Sequence, residues 1–179
     1  MRLALLLILL AGPVASQDAV IRADLDGNGH AETFRLLVPT DDPQADLEVT
    51  GQWQTRLYPG LGWAGASAGT LPRLELAANG SLRLITENMA IGRNRWEQAI
   101  TIAFRDGAYR VAGYTYTFYD TLDLDSHGFC DVNLLTGRGV LQSGTGPEKT
   151  VREWRMRAVP LDDWTMDSMP GVCAPMFDG

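Results

Sequence analysis

The run from Ile100 to Tyr119 constrains the fold more than any other stretch. Ile100, Ile102 and Phe104 alternate with Thr101 and Ala103, the dipeptide Asp106-Gly107 follows, and Tyr109 to Tyr119 is rich in β-branched and aromatic residues. A two-residue turn of this composition between period-2 runs predicts a β-hairpin, because both central positions of a type I′ turn need φ > 0. The second arm places Tyr114, Tyr116 and Phe118 on one face. Asn79-Gly80, between Leu71–Ala77 and Ser81–Thr86, carries the same signal and predicts a second hairpin. Asn79-Gly80-Ser81 also matches the N-glycosylation pattern, although the turn alone explains these residues.

The rest of the chain extends this pattern. Ala19–Ala23, Thr33–Val38 and Leu47–Thr50 read as short strands, and Pro39 with Asp41-Asp42-Pro43 ends the second. Residues 51–70 read as a strand and then an irregular loop. Trp53, Tyr58 and Trp63 there either cover the edge of the core or line a ligand groove. Glu87–Arg95 reads as a polar connection, Phe129–Leu135 as a strand, and Thr136–Gly139 as a turn into Val140-Leu141. From Val151 to Val159, Trp154, Met156 and Ala158 alternate with Glu153, Arg155 and Arg157, as in a half-exposed antiparallel strand. No sustained helical period occurs. The expectation is an all-β antiparallel sandwich or barrel-like domain of about 8–10 strands with little helix.

Met1-Arg2, the apolar run Leu3–Ala11 and the small residues up to Ser16 predict a signal peptide over residues 1–16, with cleavage before Gln17. A retained anchor helix is the alternative. Residues 17–179 then form a single all-β domain, expected in the periplasm or secreted, with no membrane insertion of the mature chain. The formal charge of −7 becomes one unit more negative once Arg2 is removed. That balance argues against nucleic acid, which rewards clustered cations. Cys130 and Cys173 are the only cysteines and lack C-x-x-C spacing, so in an oxidising compartment they are expected to form a disulfide.

Chemistry concentrates in Asp24-Leu25-Asp26-Gly27-Asn28-Gly29-His30-Ala31-Glu32. Oxygen-bearing side chains fall at the first, third, fifth and ninth positions, with Gly at the sixth. Ca2+ takes roughly 6–8 oxygen ligands, which a tight acidic loop can supply. The expected ligands are the side chains of Asp24, Asp26, Asn28 and Glu32 and the backbone carbonyl of His30. The loop starts like an EF-hand and departs from it: Arg35 stands where a bidentate Glu is needed, and a strand follows in place of a helix. A plain turn is the competing reading, since Asp, Asn and Gly also bend chains.

Other candidates are less patterned. Asp120, Asp123 and Asp125 cluster with His127, as a solvated loop or as carboxylates for a hydrolase. Arg93, Arg95 and Trp96 offer a possible binding surface for an anionic or sugar partner, or a loop anchored by its indole. No G-x-S-x-G elbow and no H-E-x-x-H helix is present.

The acidic loop resembles those of FG-GAP and VCBS repeat proteins, where strands flank a D-x-D-x-[DN]-G-x-x-[DE] calcium site. The chain from Gly92-Arg93-Asn94-Arg95-Trp96 through Tyr114-Thr115-Tyr116 to Asn133-Leu134-Leu135-Thr136-Gly137 is similar to exported bacterial β-proteins of unassigned activity that carry one such loop. Propeller functions do not follow, because a propeller needs repeated blades and the loop occurs once. The resemblance implies Ca2+ at the loop, export and an all-β fold. The leading expectation is an exported calcium-stabilised β-domain serving as a binding or structural module for a protein or glycan partner. Competing expectations are a carboxylate-based hydrolase of cell-wall or extracellular polysaccharide, and a periplasmic enzyme inhibitor.

Overall fold

The computed structural model describes residues 20–153 and 156–174; the expected signal peptide, its cleavage point and Trp154 lie outside them. Two antiparallel sheets account for nearly all regular structure. Strands β1 (Val20–Ala23), β2 (Glu32–Leu37), β3 (Gln44–Thr50) and β4 (Thr55–Trp63) form a four-stranded meander. The second sheet contains β5 (Arg73–Leu76), β6 (Leu82–Asn88), β7 (Asn94–Arg105), β8 (Ala108–Asp120), β9 (His127–Asn133), β10 (Arg138–Ser143) and β11 (Lys149–Arg152) in sequence order. A two-residue β12 (Val159–Pro160) extends it by pairing with the start of β8, and a 3-10 turn follows at Leu161–Asp163. The all-β expectation holds, with 12 strands among the described residues against the 8–10 expected.

The Asp106-Gly107 hairpin forms as expected: Asp106 has φ +52° and Gly107 +76°, and Arg105 pairs directly with Ala108. At Asn79-Gly80 a hairpin also forms, but by a different turn. Gly80 has φ +81° while Asn79 does not enter the left-handed region. Gly80 N–H donates to Ala77 C=O, and Ala77 N–H donates to Ser81 C=O, both at 2.8 Å. The loop therefore has three residues, a type I turn followed by a left-handed glycine, which needs φ > 0 at only one position.

Two sequence expectations are corrected. Glu87, Asn88, Asn94 and Arg95 belong to strands, so the connection shrinks to residues 89–93. Asn88 makes this possible: its Oδ1 accepts from Ile91 N–H, and its Nδ2 donates to the carbonyls of Ile91 and Asn94. The expected Val151–Val159 strand is interrupted, since β11 ends at Arg152 and Met156–Ala158 are not in a strand. Met156 turns into the core and β12 moves onto β8, so two short edge pairings replace one long strand.

The core lies between the sheets. Phe34, Leu36, Leu47, Val49, Tyr58 and Leu61 from the first sheet pack against Leu82, Leu84, Ile100, Ile102, Val111, Tyr114 and Val132 from the second. An extra residue in β8, Ala112, lets Val111 and Tyr114 face the same core. The bulge explains why strict alternation breaks there. After β12, Leu161, Trp164 and Cys173 fold onto the inner face, where Cys130 of β9 and Cys173 are joined as a disulfide with Cα atoms 5.7 Å apart.

The outer face of the larger sheet carries a charge network. Arg73 donates to Glu87 (2.5 Å), Glu97 (2.8 Å) and Glu75 (3.2 Å). Glu87 and Glu97 sit directly opposite each other in the β6–β7 ladder, a destabilising arrangement for like charges unless a cation lies between them. Partial burial disfavours the guanidinium charge, but the hydrogen bonds to Glu97, Glu87 and Glu75 outweigh it and raise the Arg73 pKa above its ordinary value.

Candidate metal centre

The acidic loop joins β1 to β2, and strand pairing fixes both its ends: Ala23 lies opposite Glu32, so the eight intervening residues must turn within one strand spacing. Gly27 (φ +74°) and Gly29 (φ +87°) take up the left-handed conformations this requires. Leu25 anchors the loop by packing against the core. Asp24 accepts from the N–H groups of Asn28 (3.0 Å) and Gly29 (2.9 Å), and Asp26 accepts from Asn28 N–H at 3.0 Å. Asn28 Oδ1 accepts from His30 N–H at 2.8 Å.

Three of the five residues expected as ligands are brought together. Carboxylate oxygens of Asp24, Asp26 and Glu32 lie within 4.8 Å of one another. Oxygens that share one Ca2+ at 2.3–2.6 Å can stand no more than about 5.2 Å apart. Asn28 lies beside the cluster but turns its amide Nδ2 toward Asp26 Oδ2, at 2.7 Å. His30 contributes a backbone N–H to the loop's internal bonding.

Glu32 differs from its neighbours. It is 2% exposed, its Oε2 accepts from Leu25 N–H at 2.8 Å, and its Oε1 is buried with no hydrogen-bond partner among the described residues. A buried carboxylate oxygen without a partner is costly. Burial pushes the Glu32 pKa above its ordinary value; the Leu25 hydrogen bond opposes this, and Asp26 adds to it both by its charge and by a carboxyl–carboxyl hydrogen bond. A hard cation would satisfy the orphaned oxygen and offset the repulsion among the three acids. The all-oxygen donor set fits Ca2+, which would supply a local positive charge joining the start of β2 to the loop. The ordinary-turn reading accounts for the bonds of Asp24 and Asp26 but leaves Glu32 Oε1 unexplained.

Beside the loop is a cleft of about 240 Å³. Four connections meet around it: the acidic loop, the β3–β4 turn with Gln52, Trp53 and Gln54, the β7–β8 turn, and the 3-10 turn bearing Asp162. Tyr58, Phe104 and Tyr109 line its inner wall. The Tyr109 pKa is raised by burial first and then by the charges of Glu32, Asp26 and Asp24. Arg56 bonds to Asp162 at 2.5 Å and lies 5.2 Å from the centroid of the Tyr58 ring. Trp53, by contrast, is 87% exposed. Of the three aromatics weighed together in the sequence, Trp63 packs on Trp96, Tyr58 is buried in the core at the inner wall of the cleft, and Trp53 stands exposed at its rim. Sequence reasoning missed Asp162 and Tyr109 here, because they reach the cleft from distant elements and carry no local signal.

The second acidic cluster serves to shape its loop. Asp120 is 7% exposed; its Oδ1 accepts from Leu122 and Asp123 N–H, and its Oδ2 pairs with Arg93 Nε at 2.6 Å. The Leu122 hydrogen bond leads the causes that hold the Asp120 pKa below its ordinary value, with desolvation opposing and Arg93 assisting. Asp123 accepts from Asp125 N–H, and His127 Nδ1 lies 2.9 Å from Leu124 C=O. A carboxylate held ionised in this way is poorly placed to be the proton donor a glycosidase requires.

The expected surface of Arg93, Arg95 and Trp96 is divided at Trp96. Arg93 is committed to Asp120, while Arg95 and Trp96 are consecutive in β7 and so point to opposite faces. Trp96 packs between Trp63 and Tyr116, with ring centroids 5.4 and 6.2 Å away.

Compared with known proteins, the chain matches no family model, no curated protein and no solved structure.

Proposed function

We propose that the chain is an exported β-domain whose N-terminal hairpin is braced by Ca2+ and which works as a binding module rather than as an enzyme. The observation that carries this reading is the buried Glu32, whose carboxylate converges with those of Asp24 and Asp26 and whose Oε1 has no hydrogen-bond partner among the described residues. The resemblance of the loop to FG-GAP and VCBS calcium sites supports the choice of ion. Export is supported by the Leu3–Ala11 segment together with the buried Cys130–Cys173 disulfide, a bond that persists in oxidising compartments. Among the described residues no helix is long and apolar enough to cross a membrane.

The experiment is a thermal melt of the exported protein with Ca2+ and with EDTA. At tenfold excess over its dissociation constant the ion contributes about 1.4 kcal/mol, which for a chain of this size raises Tm by roughly 3–5 °C. Asp26→Ala should remove the difference. A wild-type melt that chelation leaves unchanged defeats the reading.

A further inference from the structure

We propose that the cleft beside the acidic loop is a saccharide-binding subsite in which the loop's Ca2+ chelates sugar hydroxyls and Trp53 stacks on the ring. The proposal rests on the calcium reading above and extends it to a ligand class.

Coordination number comes first. Ca2+ takes roughly 6–8 oxygens. The three converging residues, even with one carboxylate binding through both oxygens, leave coordination positions open. Asp26, Asn28 and Glu32 also line the adjoining cleft, so an ion held by the cluster would adjoin that cavity. A vicinal diol presents two oxygens at a spacing one ion can take up.

The walls supply the rest of a sugar's requirements. Trp53, 87% exposed at the rim, offers a rigid apolar face to the C–H side of a pyranose. Gln52 and Gln54 flank it with amides that both donate and accept hydrogen bonds, as hydroxyls do. Arg56 is held by Asp162 and by the Tyr58 ring, so its fork is already oriented at the cleft. At about 240 Å³ the cleft lies below the roughly 300–1,000 Å³ of sites that enclose a drug-sized ligand. That size suits one ring of a longer chain.

Charge argues for a neutral ligand. Three carboxylates around a divalent ion leave one residual negative charge, and the Arg56–Asp162 pair is internally balanced. Anionic ligands would be repelled by that residual charge. Cationic peptides would compete with the ion for the acids, so their binding should fall as Ca2+ rises.

The test is isothermal titration calorimetry of the full mature chain with soluble oligosaccharides of cellulose, starch, chitin and mannan, and with poly-lysine as the cationic comparison. In Ca2+, at least one oligosaccharide should bind with a Kd below about 1 mM. EDTA and Trp53→Ala should each weaken it at least tenfold. Because Trp53 is exposed, Trp53→Ala should keep the wild-type calcium-dependent melting shift, which separates loss of the subsite from loss of the ion. The proposal is overturned if no oligosaccharide binds, if binding survives either chelation or Trp53→Ala, or if poly-lysine binds in preference. With the melting shift intact, each of those results leaves the calcium reading standing; absence of the shift removes both.

Discussion

Glu32 and Leu25 close the acidic loop from its two ends: Glu32 Oε2 accepts the Leu25 N–H at 2.8 Å across seven residues, and this bond fixes the other oxygen in a buried position without a partner. Glu32 is also the first residue of β2, in register with Ala23. The side chain that completes the proposed ion site is thus carried by a strand whose pairing is set by the core. The site should therefore be largely formed before the ion arrives, unlike a flexible loop that organises around its metal.

Glu32→Gln separates the two roles of this residue. The amide oxygen can still accept from Leu25, while the buried charge is removed. Calcium affinity should fall at least tenfold, and the metal-free protein should melt no lower than wild type, because a desolvated charge has been relieved. Calorimetric titration with Ca2+ and melts in EDTA check both halves. Retained affinity would mean that Glu32 is not a ligand.

Arg73 should matter through the acids it separates. Arg73→Met leaves Glu87 and Glu97 directly opposed, and partly exposed networks of this kind contribute about 1–2 kcal/mol after solvent screening. The expected result is a Tm a few degrees lower. Adding Glu97→Gln to Arg73→Met should recover part of the loss, since it removes the repulsion. Purely additive losses in this double-mutant cycle would count against the network.

Local sequence carried the elements whose cause is local. Asp106-Gly107 specified its own turn, and the alternation on either side specified its strands. Asn79-Gly80 specified a hairpin but not its type, because one left-handed glycine suffices in the three-residue loop. The break in the Val151–Val159 strand was hidden, since alternation there was consistent with one edge strand while the pairings went to β10 and β8. The three acids that converge, Asp24, Asp26 and Glu32, fall within nine residues and were readable as a cluster. The cleft joins Trp53, Tyr109 and Asp162, which only the closing of the two sheets brings together.

The Cys130–Cys173 bond should hold the C-terminal segment on the inner face. Its closure across 43 residues stabilises by about 4 kcal/mol on the chain-entropy model. Cys130→Ala with Cys173→Ala should then lower Tm by roughly 10 °C. Because Leu161 and Trp164 are buried on the same segment, amide exchange there should rise more than in β7 or β8. Uniform protection in the variant would show that packing alone holds the tail.

Asp120 gives the fold a defined acid limit. Its carboxylate accepts two backbone N–H bonds and pairs with Arg93, and its pKa is held below the ordinary value. For a group whose folded value is depressed, the stabilisation is fully present above the unfolded value of about 3.9 and is lost as pH falls through the folded value. Tm of the wild type should therefore fall over that range, and Asp120→Asn should flatten this limb while lowering Tm at neutral pH. The asparagine keeps an oxygen for Leu122 but loses the charge that Arg93 needs, so the neutral-pH loss should shrink as salt is raised. An acid limb as steep in Asp120→Asn as in wild type would move the titration to another carboxylate.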